Sequence, residues 1–334
     1  MDPRNQTLTA IAGVSVGHDT DLDNLTGVTV IRFADPGAVA GVSVMGSAPG
    51  TRETDLLEPS NLVDTVNALM LTGGSAFGLA AATGVVSVLE ESGSGLSVAQ
   101  GQVVPIVPAA VIFDLGVGNP KVRPDADAGE RAARSASDQP VEMGNIGAGT
   151  GATVGKLKGA ARSTKGGLGS SLISLPGGKL VGCLVVVNAV GEVRDPSSGS
   201  ILAGIRGDNR GEFLSSVEAI TGGLSSEVLP GTNTTIAAIV TNVSMTKTQL
   251  TKVAQMAHDG MARAINPVHT QFDGDTVFAA STKTSPIDSE LSPADTVNQI
   301  GTAAAEALTK AITLAVKYAE TIHNIPSGDA WRSS

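Results

Sequence analysis

Side-chain size constrains this chain more than any motif does. Only eight of its 334 residues are aromatic (Phe33, Phe77, Phe113, Phe213, Phe272, Phe278, Tyr318 and Trp331), while 41 are glycine. A core must therefore be built from Ala, Val, Leu and Ile in close packing, with glycine permitting tight approaches between backbones. Disorder is disfavoured, because hydrophobic residues make up 41% and charged residues only 16%. The glycines follow no three-residue period, which excludes a collagen helix. A chain of this length buries enough surface to fold without disulfide or metal staples, and it is expected to form a single domain over 1–334.

The pattern along the chain is mixed. Gly27–Phe33 and Gly41–Met45 read as short β-branched strands. Asn61 to Leu71 reads as helical. Thr72-Gly73-Gly74 interrupts it, and a helix resumes over Ser75 to Glu91, with the doublet implying a close backbone approach. Ala126 to Ser135 is a third, shorter helix. Lys179–Asn188 is nearly all apolar and reads as a strand buried on both faces. Residues 204–231 are polar and read as an exposed connection. Thr235–Asn242 is a strand. Thr246 and Gln249 form a capping box that opens a helix with Leu250, Val253, Ala257, Met261 and Ala264 on its apolar face. Pro267 ends that helix, and Thr276–Thr282 is the next strand. Ser292-Pro293 then starts a long helix carrying Val297, Ile300, Ala304, Leu308, Ala311, Ala315 and Ile322. Strands and helices interleave without regular alternation, so the expected class is layered α/β.

Charge and cysteine usage narrow the function. Thirty-two acids against 22 bases leave a net charge of −10, which repels polyanions and argues against nucleic-acid binding. Cys183 has no intramolecular partner, which fits a reducing compartment. The N-terminal segment lacks the apolar core of a signal peptide, and the greasiest run, Leu180 to Val187, is too short to span a bilayer. A cytoplasmic protein without membrane contact is the expectation.

Several motifs fail on inspection. His18-Asp19-Thr20-Asp21-Leu22-Asp23 begins like a calcium loop, but Asn24 stands at the turn glycine and Val30 at the bidentate acid. Gly155-Lys156 ends like a phosphate loop, but Thr150 replaces its first glycine and Leu157 its hydroxyl. Ser75 lies in GGSAFG rather than in a nucleophile elbow. The four histidines form no metal-binding pair, so neither metal hydrolysis nor a Ser-His-Asp triad has its parts; no metal and no cofactor is expected.

What survives is a hydroxyl nucleophile that needs no histidine. Gly231-Thr232-Asn233-Thr234-Thr235 sits where the polar connection meets a buried strand. A threonine freed at its N-terminus carries its own base, an α-amino group of ordinary pKa about 7.7–8.0. Thr234 and Thr235 both remain candidates. Asp273-Gly274-Asp275 precedes the next strand, where two carboxylates can hold an ammonium or take up a proton. Lys156 offers a positive charge, and Asn188 an amide donor for a developing oxyanion.

GTNTTIAAIVTN (231–242) and QLTKVAQMAHDGMARAINPVHTQFDGDTVFAAST (249–282) resemble the self-processing aminopeptidase/amidase family, which includes L-aminopeptidase D-Ala-esterase/amidase, β-peptidyl aminopeptidases and nylon-oligomer hydrolase. GTRETDLL (50–57), LTGGSAFGL (71–79), GAGTGATVGK (147–156), KGGLGS (165–170) and VVVNAVG (185–191) extend the resemblance over nearly the whole chain. It implies a four-layer αββα sandwich of the aminopeptidase/ornithine acetyltransferase type. It also implies self-cleavage between Asn233 and Thr234 into a large fragment, 1–233, and a small one, 234–334. Thr234 would then attack small peptide or amide substrates through an acyl-enzyme, in a homotetramer or larger assembly. By matching motif, Lys156, Asn188, Asp273 and Asp275 are its further active-site residues, and Glu53 and Phe113 are placed as substrate contacts. Phe113 stands where the nylon-oligomer branch is expected to have a tyrosine. Two other readings stay open: an acyltransferase sharing the nucleophile strategy, and an uncleaved, non-catalytic binding protein.

Overall fold

The computed structural model describes residues 5–224, 231–285 and 291–333. The strands that build its two main sheets are, in chain order, β1 (Val14–Asp21), β2 (Thr26–Phe33), β3 (Ala38–Val44), β4 (Thr51–Arg52), β5 (Thr65–Val66), β6 (Ala68–Thr72), β7 (Ala109–Val111), β8 (Gly167–Ser174), β9 (Leu180–Asn188), β10 (Thr234–Thr241) and β11 (Thr276–Ser281). The long helices are α1 (Ala81–Glu91), α2 (Ala126–Arg134), α3 (Lys247–Ala264) and α4 (Pro293–Lys317). One sheet has five strands in the order β1-β2-β6-β7-β4, and the other six in the order β8-β9-β10-β11-β3-β5. Pairing is antiparallel except for β10 with β11 and β6 with β7.

The doubly apolar β9 explains the layering. Val181, Cys183, Val185 and Val187 pack with Leu250, Val253, Ala257 and Met261 of α3 and with Ala304, Leu308 and Ala311 of α4. The alternate residues Leu184 and Val186 join Ile31, Leu69 and Leu71 of the first sheet. The outer face of that sheet, through Val28, Val30, Met70 and Ala109, is covered by Ala81, Val85 and Leu89 of α1 and by Ala128 and Ala132 of α2. Two-residue side-chain alternation thus assigns each strand residue to one of two layers, and the result is helix, sheet, sheet, helix. The four-layer αββα expectation holds. Close packing depends on glycine where α1 meets α2: a Cβ on Gly84 would lie 1.8 Å from the Ala126 carbonyl oxygen, and one on Gly129 1.8 Å from that of Ala81.

Three sequence expectations need correction. The segment 61–71 is not helical; it carries β5 and β6. Ala68–Thr72 is buried throughout, and an apolar run covered on both faces carries no period that separates strand from helix. The break at Gly73-Gly74 therefore lies between a strand and a helical segment, a 3-10 turn (Ser75–Ala80) leading into α1. The polar connection is not wholly exposed, since Ile205 and Ser216 are fully buried; its residues 225–230 lie outside those described. The last long helix stops at Lys317, and Ile322 instead bridges Ile325. The Thr246–Gln249 capping box is present in both directions. No described helix is long and apolar enough to cross a membrane.

Candidate active site

Three neighbouring strand ends converge. Thr234 opens β10, and its register partner on β9 is the terminal Asn188. On the other side, Asn233 bridges Asp273, just ahead of β11. The sheet thus brings together residues 46 and 85 positions apart in sequence, counted from Asn188 to Thr234 and from Asn188 to Asp273. Alternation also separates the two threonines. Ile236 and Ala238, in phase with Thr234, pack between the sheets, whereas Ala237 and Ile239, in phase with Thr235, face the α3/α4 layer. Thr234 and Asn188 therefore address the inter-sheet side together.

The peptide bond between Asn233 and Thr234 is surrounded by hydrogen-bond donors. The Thr234 hydroxyl donates to the Asn233 carbonyl oxygen, which also accepts the Gly274 N–H at 2.9 Å. Gly274 is required by space: a Cβ there would stand 2.9 Å from Thr234 Oγ1 and 2.7 Å from the Ala48 carbonyl oxygen. Lys156 reaches in from the glycine-dense loop. Its Nζ donates to Asn188 Oδ1 at 2.7 Å, to the Asn188 carbonyl at 3.0 Å and to the Thr232 carbonyl at 3.2 Å. Asn188 Oδ1 additionally accepts the Thr153 N–H, and its Nδ2 donates to the Phe113 carbonyl at 3.1 Å.

The two aspartates face different partners. Asp273 Oδ2 accepts the Thr270 N–H at 2.9 Å and the Thr270 hydroxyl at 2.6 Å. Asp275 Oδ1 accepts the Thr235 N–H at 2.6 Å, while its Oδ2 meets the His269 N–H and Nδ1 at 3.1 and 2.7 Å. Burial pushes Asp273 up to about 6, helped by neighbouring Asp275 and opposed by the Thr270 hydrogen bonds and Lys156. Burial likewise lowers Lys156 to about 7, opposed by Asp273 and Asp114. Both groups are therefore poised to change charge close to neutrality.

Lys156, Asn188, Asn233, Thr234, Asp273 and Asp275 are thus brought together. Phe113 joins through its backbone carbonyl. The exposed Glu53 turns away: its carboxylate accepts the Val107 N–H at 3.0 Å, and no hydrogen bond among the described residues ties it to the cluster. Two groups went unread in the sequence. Asp114 is buried, accepts the Thr26 hydroxyl and the Gly74 N–H at 2.7 Å each, and acts electrostatically on Lys156. The close approach implied by the glycine doublet is made to it, since a Cβ on Gly73 would lie 2.0 Å from Asp114 Oδ2. Its only sequence signal is a lone acid ending the apolar run Val111-Ile112-Phe113. The other group is the pair His258 and His269, too far apart in sequence to form a motif. Among the described residues, no cluster of three or more His, Cys, Asp or Glu side chains is arranged to hold a metal ion.

Sequence comparison places this geometry in a family. The profile of Peptidase family S58 matches residues 6–327. The chain belongs to that family. A Mycobacterium leprae protein described as an uncharacterized aminopeptidase is 41% identical, over 96% of this chain and 92% of its own length. A 6-aminohexanoate-oligomer endohydrolase of Kocuria sp. is 34% identical, over 81% of this chain and 73% of its own. Among solved structures, a Burkholderia sp. beta-aminopeptidase matches at 24% identity with a TM-score of 0.69, over 96% of this chain and 88% of that one. The L-aminopeptidase D-Ala-esterase/amidase of Ochrobactrum anthropi, described as a variant of the Ntn hydrolase fold, matches at 19% identity with a TM-score of 0.71 and the same coverage. The S58 chain is thus a member of a hydrolase family that includes aminopeptidases and nylon-oligomer hydrolases, on an Ntn-hydrolase-type α/β sandwich.

Proposed function

We propose that the chain cuts itself between Asn233 and Thr234 and that the freed Thr234 is the nucleophile of an amide hydrolase. The observation that carries this reading is the Asn233 carbonyl, held by the Gly274 N–H at 2.9 Å with the Thr234 hydroxyl against it. In the precursor, Thr234 Oγ1 bonds to the Asn233 carbonyl carbon and the C–N bond breaks. The hydroxyl proton ends on the new α-amino group. Gly274 N–H supports the oxygen that gains charge in that step. Water then hydrolyses the ester, leaving an Asn233 carboxylate and a free Thr234 hydroxyl.

In turnover, the α-amino group of Thr234 takes the hydroxyl proton as Oγ1 attacks the substrate carbonyl, and passes a proton to the departing amine. Water releases the acyl group by the same path. Lys156 holds Asn188 and the Thr232 carbonyl in place beside the nucleophile. The names of the relatives favour amides bearing an amino-terminal or ω-amino group, and the buried carboxylate of Asp273 suits such an ammonium.

Intact mass on denatured protein tests the reading. Fragments ending at Asn233 and beginning at Thr234 are expected, and Thr234→Ala should abolish both the cut and the hydrolysis of amino-acid p-nitroanilides. A chain that stays whole on prolonged incubation would sink it. Cleavage that persists in Thr234→Ala would move the nucleophile elsewhere.

A further inference from the structure

Behind Asp275 lies a connected line of side chains, the half-buried His269 and the buried His258. His269 meets Asp275 Oδ2 twice, through its backbone N–H and through Nδ1. Its ring in turn packs edge-on against His258, with centroids 4.7 Å apart and an interplanar angle of 74°. His258, on α3, is itself fixed by its Nε2 donating to the Ser43 carbonyl at 3.1 Å, on β3. With Asp275 as a carboxylate, Nδ1 is the protonated ring nitrogen of His269, since carboxylates only accept. His269 also sits at φ 57, in the left-handed region, a conformation that costs a non-glycine residue energy and persists where surroundings enforce it.

The other oxygen of Asp275 holds the Thr235 N–H at 2.6 Å. This bond matters because of what cleavage removes. Once the bond before Thr234 is cut, the nucleophile is tethered only through its own carbonyl and the Thr235 nitrogen. The contact to Asp275 is a side-chain hydrogen bond on that surviving side, on the edge of β10 opposite the ladder that pairs Thr234 with Asn188 of β9.

We propose that His269 is a positioning residue: by locking Asp275 Oδ2 it aims Oδ1 at the Thr235 N–H and so holds Thr234 in register with Gly274. The inference rests on the reading of Thr234 as nucleophile. His258 acts one step further back, as the support for the His269 ring.

The test compares His269→Ala, His269→Asn and His269→Gln with the parent chain. Self-cleavage is followed by intact mass, and kcat and KM are measured on an amino-acid p-nitroanilide. His269→Ala is expected to slow self-cleavage and lower kcat by up to about 100-fold, the scale of a small misplacement of reacting groups, with KM little changed. Asparagine places an amide donor near the Nδ1 position and tolerates the left-handed backbone, so it should restore most of the rate. Glutamine places its donor too far out and should not. Parent rates in His269→Ala, equal rates in the Asn and Gln variants, or a loss confined to KM would each overturn the inference. Should His269→Ala fail to fold, the Asn and Gln pair still decides. A parent chain that never cuts before Thr234 instead overturns the functional reading on which this one rests.

Discussion

Gly274 shows how little room the proposed chemistry leaves at the scale of a residue. It donates to the carbonyl to be attacked, and its missing side chain leaves space for the attacking hydroxyl. Gly274→Ala keeps that N–H but sets a Cβ 2.9 Å from Thr234 Oγ1 and 2.7 Å from the Ala48 carbonyl oxygen, so it should slow self-cleavage by about 100-fold, the scale of a small misplacement of reacting groups; intact mass over time measures it. Asp273 makes a prediction about stability. Its carboxyl titrates at about 6 in the fold against an ordinary 3.8, so the folded state favours the protonated form. Its ionisation removes stability as pH rises from 3.8 through about 6. Asp273→Asn still accepts from Thr270 without ionising. Its Tm, relative to the parent's, should therefore rise across that window, and a flat difference would contradict the assignment. Of these residues, Thr234, Asn188, Lys156, Asp273 and Asp275 were legible from motif. Asp114 was not, because its partners Thr26 and Gly74 are distant in sequence; His269 was not, because its six-residue spacing to Asp275 matches no motif and only the local backbone turns its ring onto that carboxylate.

At the scale of elements, capping and packing explain what the periodicity revealed. Helix α3 begins at the Thr246 capping box and carries His258 to the Ser43 carbonyl. Thr246→Ala should cost about 1 kcal/mol in denaturant unfolding without altering the fold. The contact between α1 and α2 tolerates less. Gly84→Ala would drive a methyl to within 1.8 Å of the Ala126 carbonyl oxygen, so the helices must move apart, and a loss of at least about 1–3 kcal/mol is expected. The long amphipathic helices were readable because one face of each meets water. The strand Ala68–Thr72 was not, because both its faces are covered and its apolar run has no period to read.

The whole molecule decides what cleavage would do. Strands β10 and β11 lie in the proposed small fragment, yet they sit between β9 and β3, both from the large one. A cut before Thr234 would therefore sever one peptide bond while leaving every ladder of that sheet intact. The two fragments should co-elute on native size exclusion and separate only under denaturant; spontaneous separation under native conditions would be inconsistent with this arrangement. Local sequence carried what local physics can carry: the small-residue core, the layered class, the capped helices and the motif residues of the site. Tertiary structure alone decided which threonine faces the inter-sheet side, that Glu53 turns to Val107, and that a histidine pair backs Asp275. Those depend on strand register and on which layers meet, and register is settled by contacts between residues far apart in the chain.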